Sequence, residues 1–167
     1  MPNRMISVIG GSESDQEALI LAEELGAEIA KRGVAVVCGG LGGVMEAVCR
    51  GAKKNNGITV GLLPTLEKDH ANEFVDISIP TGLGYARNFL VARTGDAVIA
   101  ISGSAGTLSE MAIAWFSDKP LIALSKSGGW ASKLAGQRID DRRQDEVFSA
   151  NTPKEAVDIA FRELRWE

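Results

Sequence analysis

The chain has 167 residues, of which 45% are hydrophobic and 24% charged, and its formal net charge is −4. This composition is typical of an ordinary globular protein and excludes a disordered or fibrous chain. A mildly acidic chain without a basic run lacks the electrostatic surface that attracts nucleic acids or anionic membranes, so we expect neither as a partner. At this length we expect one domain, residues 1–167, built around one core.

Five apolar segments predict the strands of the fold. In chain order they read MISVIGG, VAVVCGG, ITVGLLP, DAVIAISG and PLIALSKSGG, and each is bounded by glycine. Runs of this length without polar alternation are typical of strands that are buried on both faces, as they are in a parallel sheet. The predicted sheet is therefore mostly parallel.

Helical periodicity occupies the stretches between these segments. In residues 14–33 apolar side chains recur at helical spacing, and Gly33 marks the end of the helix. Further helices are predicted at about residues 43–54, 86–93, 107–116 and 151–164. The last begins with Thr152, Pro153 and Glu155 as cap, first position and capping-box partner. Strands that alternate with helices predict a three-layer, Rossmann-like α/β fold with a doubly wound sheet.

The cysteines and the histidine exclude several kinds of site. Cys38 and Cys49 are too few for a disulfide framework, and we expect free buried thiols. Because His70 is the single histidine, neither a metal site nor a Ser-His-Asp triad is predicted. No apolar segment approaches the length that spans a bilayer, and the N-terminal one is too short for a signal peptide, so we expect a cytoplasmic protein.

Glycine-rich loops follow the predicted strands. Because ligands of open α/β sheets bind outside the carboxyl ends of the strands, these loops meet at the edge where a site is expected. Turns before helices favour glycine in any case, so a single loop carries little weight, but several at one edge favour a ligand site. The candidate binding residues are Gly10, Gly11, Gly39, Gly40, Gly42, Gly43, Gly103, Ser104, Ala105, Gly106 and Thr107, with Gly128 and Gly129 at the same edge.

Two common nucleotide-binding motifs do not occur. The G-x-G-x-x-G fingerprint fails because Gly40 and Gly42 are followed by Met45 where the third glycine belongs, and no acidic residue ends the second strand. The G-x-x-x-x-G-K-[ST] pattern does not occur either. A conventional NAD enzyme and a P-loop NTPase are therefore disfavoured.

The segment from Gly103 to Thr107 predicts an anion site built from the backbone. A loop of small residues that enters a helix directs N–H groups and the positive end of the helix dipole at an anion. Thr107 adds a hydroxyl, and Ser102 and Ser104 can donate further hydrogen bonds. A competing interpretation is that Thr107 and Glu110 only form a capping box of the type S/T-x-x-E.

A cation and a carboxylate are predicted to flank this loop. The helix at 86–93 leads down to the start of the next strand, so its first turn, which carries Arg87, is expected near the same edge. Glu110 is expected in the first turn beyond that strand. The alternative is that Arg87 and Glu110 only pair with each other, which contributes ~0–1 kcal/mol if the pair is exposed.

At these residues the chain resembles the LOG-like family, formerly labelled lysine decarboxylases, and especially its molybdenum cofactor carrier protein subgroup. The resemblance rests on CGGLGGVMEAV, ARNFLVARTGDAVIAISGSAGTLSE and DKPLIAL, and it covers most of the chain. In LOG enzymes a P-G-G-x-G-T-x-x-E loop binds the phosphate of a nucleoside 5′-monophosphate, and an arginine acts with the glutamate to cleave the N-glycosidic bond. By position, the resemblance implies Arg87 and Glu110 as the catalytic pair, and Gly103, Gly106 and Thr107 in the loop.

The chain departs from the LOG pattern at three positions. Ser102 replaces the proline, Ser104 replaces the second glycine, and Asn88 follows Arg87 where LOG enzymes have a lysine. Glu46 and the segment SKSGGW resemble the carrier subgroup instead. The resemblance implies a small phosphorylated ligand, either a nucleotide or the molybdenum cofactor, with no required cofactor and no metal site. It also implies a homodimer or homotetramer.

Three functions remain open on the sequence. The favoured one is a carrier or sensor that binds a phosphorylated, nucleotide-like molecule. A nucleobase could stack on Trp130 or Tyr85, and the alternative is that these side chains only pack. The second is a phosphoribohydrolase that uses Arg87 and Glu110, and the third is a structural protein without a ligand. A lysine decarboxylase is rejected, because nothing near Lys126 indicates a pyridoxal phosphate site.

Overall fold

A computed structural model describes residues 4–167 and contains one seven-stranded sheet. Residues 1–3 of the predicted domain lie outside the described part. The strands are β1 (Met5–Gly10), β2 (Ala35–Cys38), β3 (Thr59–Leu63), β4 (Ile77–Pro80), β5 (Ala97–Ile101), β6 (Leu121–Leu124) and β7 (Phe148–Ala150). The helices are α1 (Gln16–Lys31), α2 (Val44–Lys53), α3 (Arg87–Thr94), α4 (Ala105–Phe116), α5 (Gly129–Leu134) and α6 (Pro153–Glu163), with 3-10 turns at Lys68–His70 and Gly84–Ala86.

The sheet is parallel throughout and doubly wound. Its strand order is β4-β3-β2-β1-β5-β6-β7, and every neighbouring pair is parallel. The chain adds strands outward from β1 on one side and then returns to β5 on the other, so the order switches between β1 and β5. The predicted Rossmann-like α/β fold is confirmed.

Helices cover both faces of the sheet. Helices α1, α2 and α6 pack on one face, and α3, α4 and α5 contribute to the core on the other. Consecutive strand residues alternate between the two cores; Val36 faces the first and Val37 the second, and both are fully buried. This two-sided burial explains why the central strands carry apolar residues without polar alternation.

The two outermost strands and one helix were not predicted. Strand β4 reads ISIP, with Ile77 and Ile79 exposed and Pro80 at its end, and β7 is only three residues long. Edge strands of this kind are short and alternate or contain proline, so they lack the apolar run that marks a central strand. Helix α5 has six residues, too few for a helical period to be recognised.

The predicted helix caps are found at α6, with one difference. The Thr152 hydroxyl accepts a hydrogen bond from the Glu155 N–H, as expected of the N-cap residue. The Glu155 carboxylate accepts from the Asn151 N–H, one residue before the predicted partner. None of the helices between residues 4 and 167 has the length and apolar composition needed to cross a bilayer.

Candidate functional site

Three neighbouring parallel strands bring the predicted glycine loops to one edge of the sheet. Strands β2, β1 and β5 are adjacent, and the loops that follow them hold Gly39 to Gly43, Gly10 with Gly11, and Gly103 to Thr107. The first two loops are in direct contact, because the Val44 N–H donates to the Gly11 carbonyl at 3.0 Å. The edge coincides with the switch point between β1 and β5, where α/β sheets of this type bind ligands.

The loop after β5 and the first turn of α4 contain a run of backbone amides without protein partners. Among residues 4–167, no atom accepts a hydrogen bond from the N–H groups of Gly103, Ser104, Ala105, Gly106 or Thr107. The first amide with a helical partner is that of Leu108, which donates to the Ser104 carbonyl at 3.0 Å. Residues 104–106 are exposed. These amides are therefore open to an external acceptor, as expected at the N-terminus of a helix.

Contacts with α5 hold the carbonyls of this loop in position. The Ser102 carbonyl accepts from the Ala131 N–H and the Gly103 carbonyl from the Trp130 N–H, both at 3.1 Å. The Ser127 hydroxyl accepts from the Ser102 N–H at 2.8 Å. Ser102 adopts a φ of +51°, a left-handed conformation that costs energy for a residue with a side chain. The loop is therefore kept in its conformation by its neighbours.

We expect Gly103→Ala to disrupt this loop. Gly103 has a φ of +92°, and a Cβ atom there would lie 2.2 Å from the Thr107 hydroxyl oxygen and 2.3 Å from its Cβ. Strain and overlap together should lower the free energy of unfolding by about 2 kcal/mol. Urea denaturation measures the loss. The matched control is Gly42→Ala, because no atom lies within 4 Å of a Cβ at Gly42; an equal loss in both variants would contradict the expectation.

The alternative in which Thr107 and Glu110 form a capping box is wrong. Helix α4 begins at Ala105, its N-cap is Ser104, and no side chain caps it. Thr107 is thus the third helical residue and Glu110 the sixth, one turn later than predicted. Both side chains are buried, and that of Glu110 turns toward α3 instead of the helix end.

Arg87 and Glu110 form a buried pair across helices α3 and α4. Arg87 Nη1 lies 3.8 Å from Glu110 Oε1, and the side chains are only 10% and 7% exposed. The sequence allowed for an exposed pair of Arg87 and Glu110, but the pair that forms is buried. Arg87 Nη1 donates to Asn88 Oδ1 at 2.9 Å, whereas the buried Nε has no partner within residues 4–167. A buried donor without a partner is rare, and a ligand or ordered water would normally satisfy it.

Burial changes the proton affinity of both groups. Loss of solvation raises the pKa of Glu110 from 4.5 to about 8, although the Arg87 charge opposes the shift. Burial also lowers the pKa of Arg87, with the charge of Glu110 acting in the opposite direction. At neutral pH Glu110 is mostly protonated while Arg87 keeps its charge. The site therefore presents a net positive charge to a ligand.

The raised pKa of Glu110 makes stability depend on pH. Between 4.5 and about 8 the folded state binds a proton at Glu110 that the unfolded state has released, so stability is fully present below 4.5 and falls as pH rises toward 8. Relative to Glu110→Gln, the free energy of unfolding of the wild type should fall by about 3 kcal/mol between pH 5.5 and 8.5. Denaturation curves at both pH values measure this difference, and a constant difference would contradict the shift.

Gly39 leaves room for the guanidinium of Arg87. A Cβ at Gly39 would lie 2.7 Å from both Nη1 and Nη2 of Arg87, and 2.6 Å from the Met45 sulfur. Both neighbours are ends of flexible side chains, so they can move without disturbing the backbone. The absence of a side chain at Gly39 is therefore what allows Arg87 to occupy this position.

We expect Gly39→Ala to displace Arg87 without unfolding the protein. The melting temperature should stay within a few degrees of wild type, because only flexible side chains have to move. Anion binding at the site should weaken about tenfold, which corresponds to one hydrogen bond to a charged group. Titration with AMP, the simplest nucleoside monophosphate probe, measures the loss. The control is Arg93→Ala, at an exposed position on the same helix as Arg87, and undiminished AMP binding by Gly39→Ala would contradict the expectation.

Three candidate glycines of the first two loops, Gly10, Gly40 and Gly43, allow close packing. A Cβ at Gly10 would lie 2.5 Å from Val44 Cγ1 and 2.7 Å from the Ile101 carbonyl, and one at Gly43 would lie 2.4 Å from the Gly11 carbonyl. One at Gly40 would lie 2.7 Å from Leu63 Cδ2. These glycines therefore let the loops after β1 and β2 approach each other and the sheet.

In the sequence, Asn88 is notable only as a departure from the LOG pattern, and its contact with Arg87 was not predicted. Asn88 is buried on the face of α3 that also carries Val91 and Ala92, and its Nδ2 donates to the Ser109 hydroxyl at 3.2 Å. Asn88 lies three and four residues before Val91 and Ala92, and this helical spacing could have indicated that it is buried.

The two predicted aromatic stacking residues differ in exposure. Tyr85 is 91% exposed, whereas Trp130 is partly buried, with the Lys133 amine 4.7 Å from its ring centre.

The two cysteines are free and buried, as predicted. Their sulfur atoms lie 3.5 Å apart, and Cys38 Sγ also accepts from the Gly40 N–H at 3.3 Å. A hydrogen bond from Cys49 lowers the pKa of Cys38, and the same bond together with burial raises the pKa of Cys49.

Between residues 4 and 167 no three histidine, cysteine, aspartate or glutamate side chains come together as a metal site would require.

Sequence comparison links the chain to one family. The profile of the SLOG cluster4 family matches residues 3–157. An uncharacterised protein of Archaeoglobus fulgidus is 44% identical over 93% of both chains. A cytokinin riboside 5′-monophosphate phosphoribohydrolase of Mycobacterium tuberculosis is 35% identical over 70% of this chain and 67% of its own length.

Comparison of structures leads to carrier proteins with the same fold. The molybdenum cofactor binding protein of Rippkaea orientalis superimposes with a TM-score of 0.87 at 33% identity, over 98% of this chain and 99% of its own. The molybdenum cofactor carrier protein of Chlamydomonas reinhardtii superimposes with a TM-score of 0.84 at 30% identity, over 97% and 99% of the two chains.

Proposed function

Because the chain belongs to the SLOG cluster4 family, we propose that it binds a phosphorylated, nucleotide-like small molecule and acts as a carrier or sensor. The observation that carries this proposal is the run of five unpartnered amides from Gly103 to Thr107 at the N-terminus of α4. A phosphate monoester offers oxygen atoms that these amides can donate to, and the helix dipole favours its charge. The structural neighbours that bind or carry the molybdenum cofactor support a ligand of this class.

Arg87 would provide the charge that complements the phosphate. It lies in the first turn of α3, its guanidinium is almost fully buried, and its Nε has no protein partner. With Glu110 protonated at neutral pH, the positive charge of Arg87 is not cancelled inside the site. A buried cation of this kind strengthens phosphate binding because solvent screens it little.

A second candidate is hydrolysis of the N-glycosidic bond of a nucleoside 5′-monophosphate. The buried pair of Arg87 and Glu110 and the 35% identical phosphoribohydrolase favour it. In this reaction the bond between the base and the ribose C1′ breaks, and the base leaves with the electron pair and takes up a proton from solvent. Ionised Glu110 would stabilise the cationic sugar and accept a proton from the water that attacks C1′. Ribose 5-phosphate and the free base are the products.

The departures from the LOG pattern favour binding over turnover. Ser104 brings a side chain to the exposed loop where LOG enzymes have glycine, and Asn88 stands where they have a lysine. The site therefore contains fewer cations than the resemblance to LOG enzymes implies. Stabilising the cationic sugar requires an ionised Glu110, and that carboxyl is mostly protonated at neutral pH, so we rank the carrier first.

One experiment separates the candidates. The protein is titrated by calorimetry with a panel of nucleoside monophosphates and with a molybdopterin compound, and the same mixtures are assayed for ribose 5-phosphate. Micromolar binding without release supports the carrier, and release of ribose 5-phosphate supports the hydrolase. If nothing binds, both proposals fail and a structural role is what remains.

A homodimer or homotetramer is part of the proposal. Its support on the protein itself is a group of exposed apolar side chains on β4, the adjoining turn and α3: Ile77, Ile79, Leu83, Tyr85, Phe89 and Leu90. Association would remove this surface from water. Size-exclusion chromatography with light scattering tests it, and a monomer at micromolar concentration would contradict it.

A further inference from the structure

We propose that Asn88 is a positioning residue that holds the guanidinium of Arg87 in place and couples it to the first turn of α4. The inference rests on the proposed function for its effect on the ligand. Its structural content, the fixed orientation of Arg87, can be measured without any ligand.

Asn88 provides the only direct hydrogen bond of the Arg87 side chain within residues 4–167. Arg87 Nη1 donates to Asn88 Oδ1 at 2.9 Å, whereas Glu110 Oε1 lies 3.8 Å away, beyond hydrogen-bond distance. Arg87 Nε has no partner. Without Asn88, only steric contacts and the more distant Glu110 would orient the charged head of Arg87.

The other end of the Asn88 amide is linked to the first turn of α4 through one hydroxyl group. Asn88 Nδ2 donates to Ser109 Oγ at 3.2 Å, and Ser109 Oγ donates to the Gly106 carbonyl at 2.6 Å. The Gly106 carbonyl and the Thr107 N–H belong to one planar peptide unit and point in opposite directions. Fixing that carbonyl therefore fixes the direction of one of the open amides.

The amide group suits this position chemically. Asparagine has an acceptor and a donor on one rigid side chain, so it can bind a cation and a hydroxyl at the same time. An aspartate would have no donor for Ser109, and a lysine would have no acceptor for Arg87. Asn88 is also only 8% exposed and its bond to Arg87 is buried, so water competes little for that bond.

A double-mutant cycle tests whether Asn88 acts through Arg87. The variants are Arg87→Ala, Asn88→Ala, the double variant and Ser109→Ala, and the probe is AMP in calorimetric titrations at pH 7. We expect Asn88→Ala to weaken AMP binding about tenfold and Ser109→Ala about threefold. In the Arg87→Ala background, Asn88→Ala should cause no further loss. The control is Asn55→Ala, which removes a hydrogen bond to the Gly51 carbonyl at the end of α2 and should bind AMP as wild type does.

A ligand-free measurement separates failure of this inference from failure of the proposed function. The 15N heteronuclear NOE of Arg87 Nε should be that of a rigid group in wild type and should fall in Asn88→Ala. Arg143, which is equally buried and bound to Asp145, is the internal reference and should not change. An unchanged Arg87 signal, or an additive loss of affinity in the double variant, would overturn the role of Asn88. Absence of AMP binding by the wild type would contradict the proposed function, while the NOE would still decide on Asn88.

Discussion

Replacing Arg87 with alanine is expected to weaken AMP binding by about 100-fold, a loss typical of a buried, charge-assisted hydrogen bond. Arg87 is the cation at the switch-point edge whose head is buried next to the glycine loops. Its removal leaves Glu110 in an apolar environment, where that carboxyl takes up a proton and so avoids an unpaired buried charge. The variant should therefore fold, and the affinity should reflect the lost contact.

Arg93 provides a matched control on the same helix. It is exposed near the end of α3, so Arg93→Ala should bind AMP within about twofold of wild type. Calorimetry at pH 7 measures the three affinities, and circular dichroism verifies folding. Equal affinities for wild type and Arg87→Ala, in folded protein, would remove Arg87 from the site.

Replacing Glu110 with glutamine is expected to separate binding from hydrolysis. If the protein hydrolyses nucleoside monophosphates, kcat should fall about 1,000-fold, because the carboxylate that stabilises the cationic sugar and accepts the proton from water is lost. AMP affinity at pH 7 should change by less than about threefold, because Glu110 is already mostly neutral at that pH. Release of ribose 5-phosphate and calorimetric titration measure the two quantities on the same samples.

In the wild type, AMP affinity and kcat should change with pH in opposite directions, which also separates binding from hydrolysis. As pH rises through about 8, Glu110 ionises and repels a phosphate, so affinity should fall. Turnover requires the ionised form, so kcat should rise over the same range. Nucleotide phosphates are already dianionic there, since their second pKa is near 6.

Two variants serve as controls for this pH dependence. In Glu110→Gln the affinity should be independent of pH between 7.5 and 9.5. Glu24→Gln, at an exposed position on α1, should behave as wild type. A wild-type affinity that does not change in this range would contradict the role given to Glu110.

Local sequence signals were sufficient for the elements that form the centre of the fold. The five predicted strands correspond to β1, β2, β3, β5 and β6, because strands buried on both faces must be apolar throughout. The order of strands and helices then implied a parallel sheet with all its glycine loops at one edge. A candidate site could be predicted on this basis because the direction of a parallel strand decides where its following loop lies.

Local signals were insufficient where a side chain's partner lies far along the chain. The capping box T-L-S-E remained a competing interpretation of Glu110 on the sequence, but α4 begins two residues earlier and turns Glu110 toward α3. Its burial, its raised pKa and its distance from Arg87 follow from the packing of α3 against α4, which no residue pattern within either helix specifies.

The sequence by itself therefore determined the parallel α/β fold, the edge that carries the site and the small residues that open the backbone there, because hydrophobic periodicity and glycine act locally. The sequence also predicted Arg87 and Glu110 near that edge, but only the tertiary structure decided how deeply they are buried and which polar groups they contact. The contact of Arg87 with Gly39, the link from Asn88 to Ser109 and the protonation of Glu110 all depend on how two helices pack against each other and against the sheet. Burial and electrostatics are properties of that arrangement, so they appear only when the chain has folded.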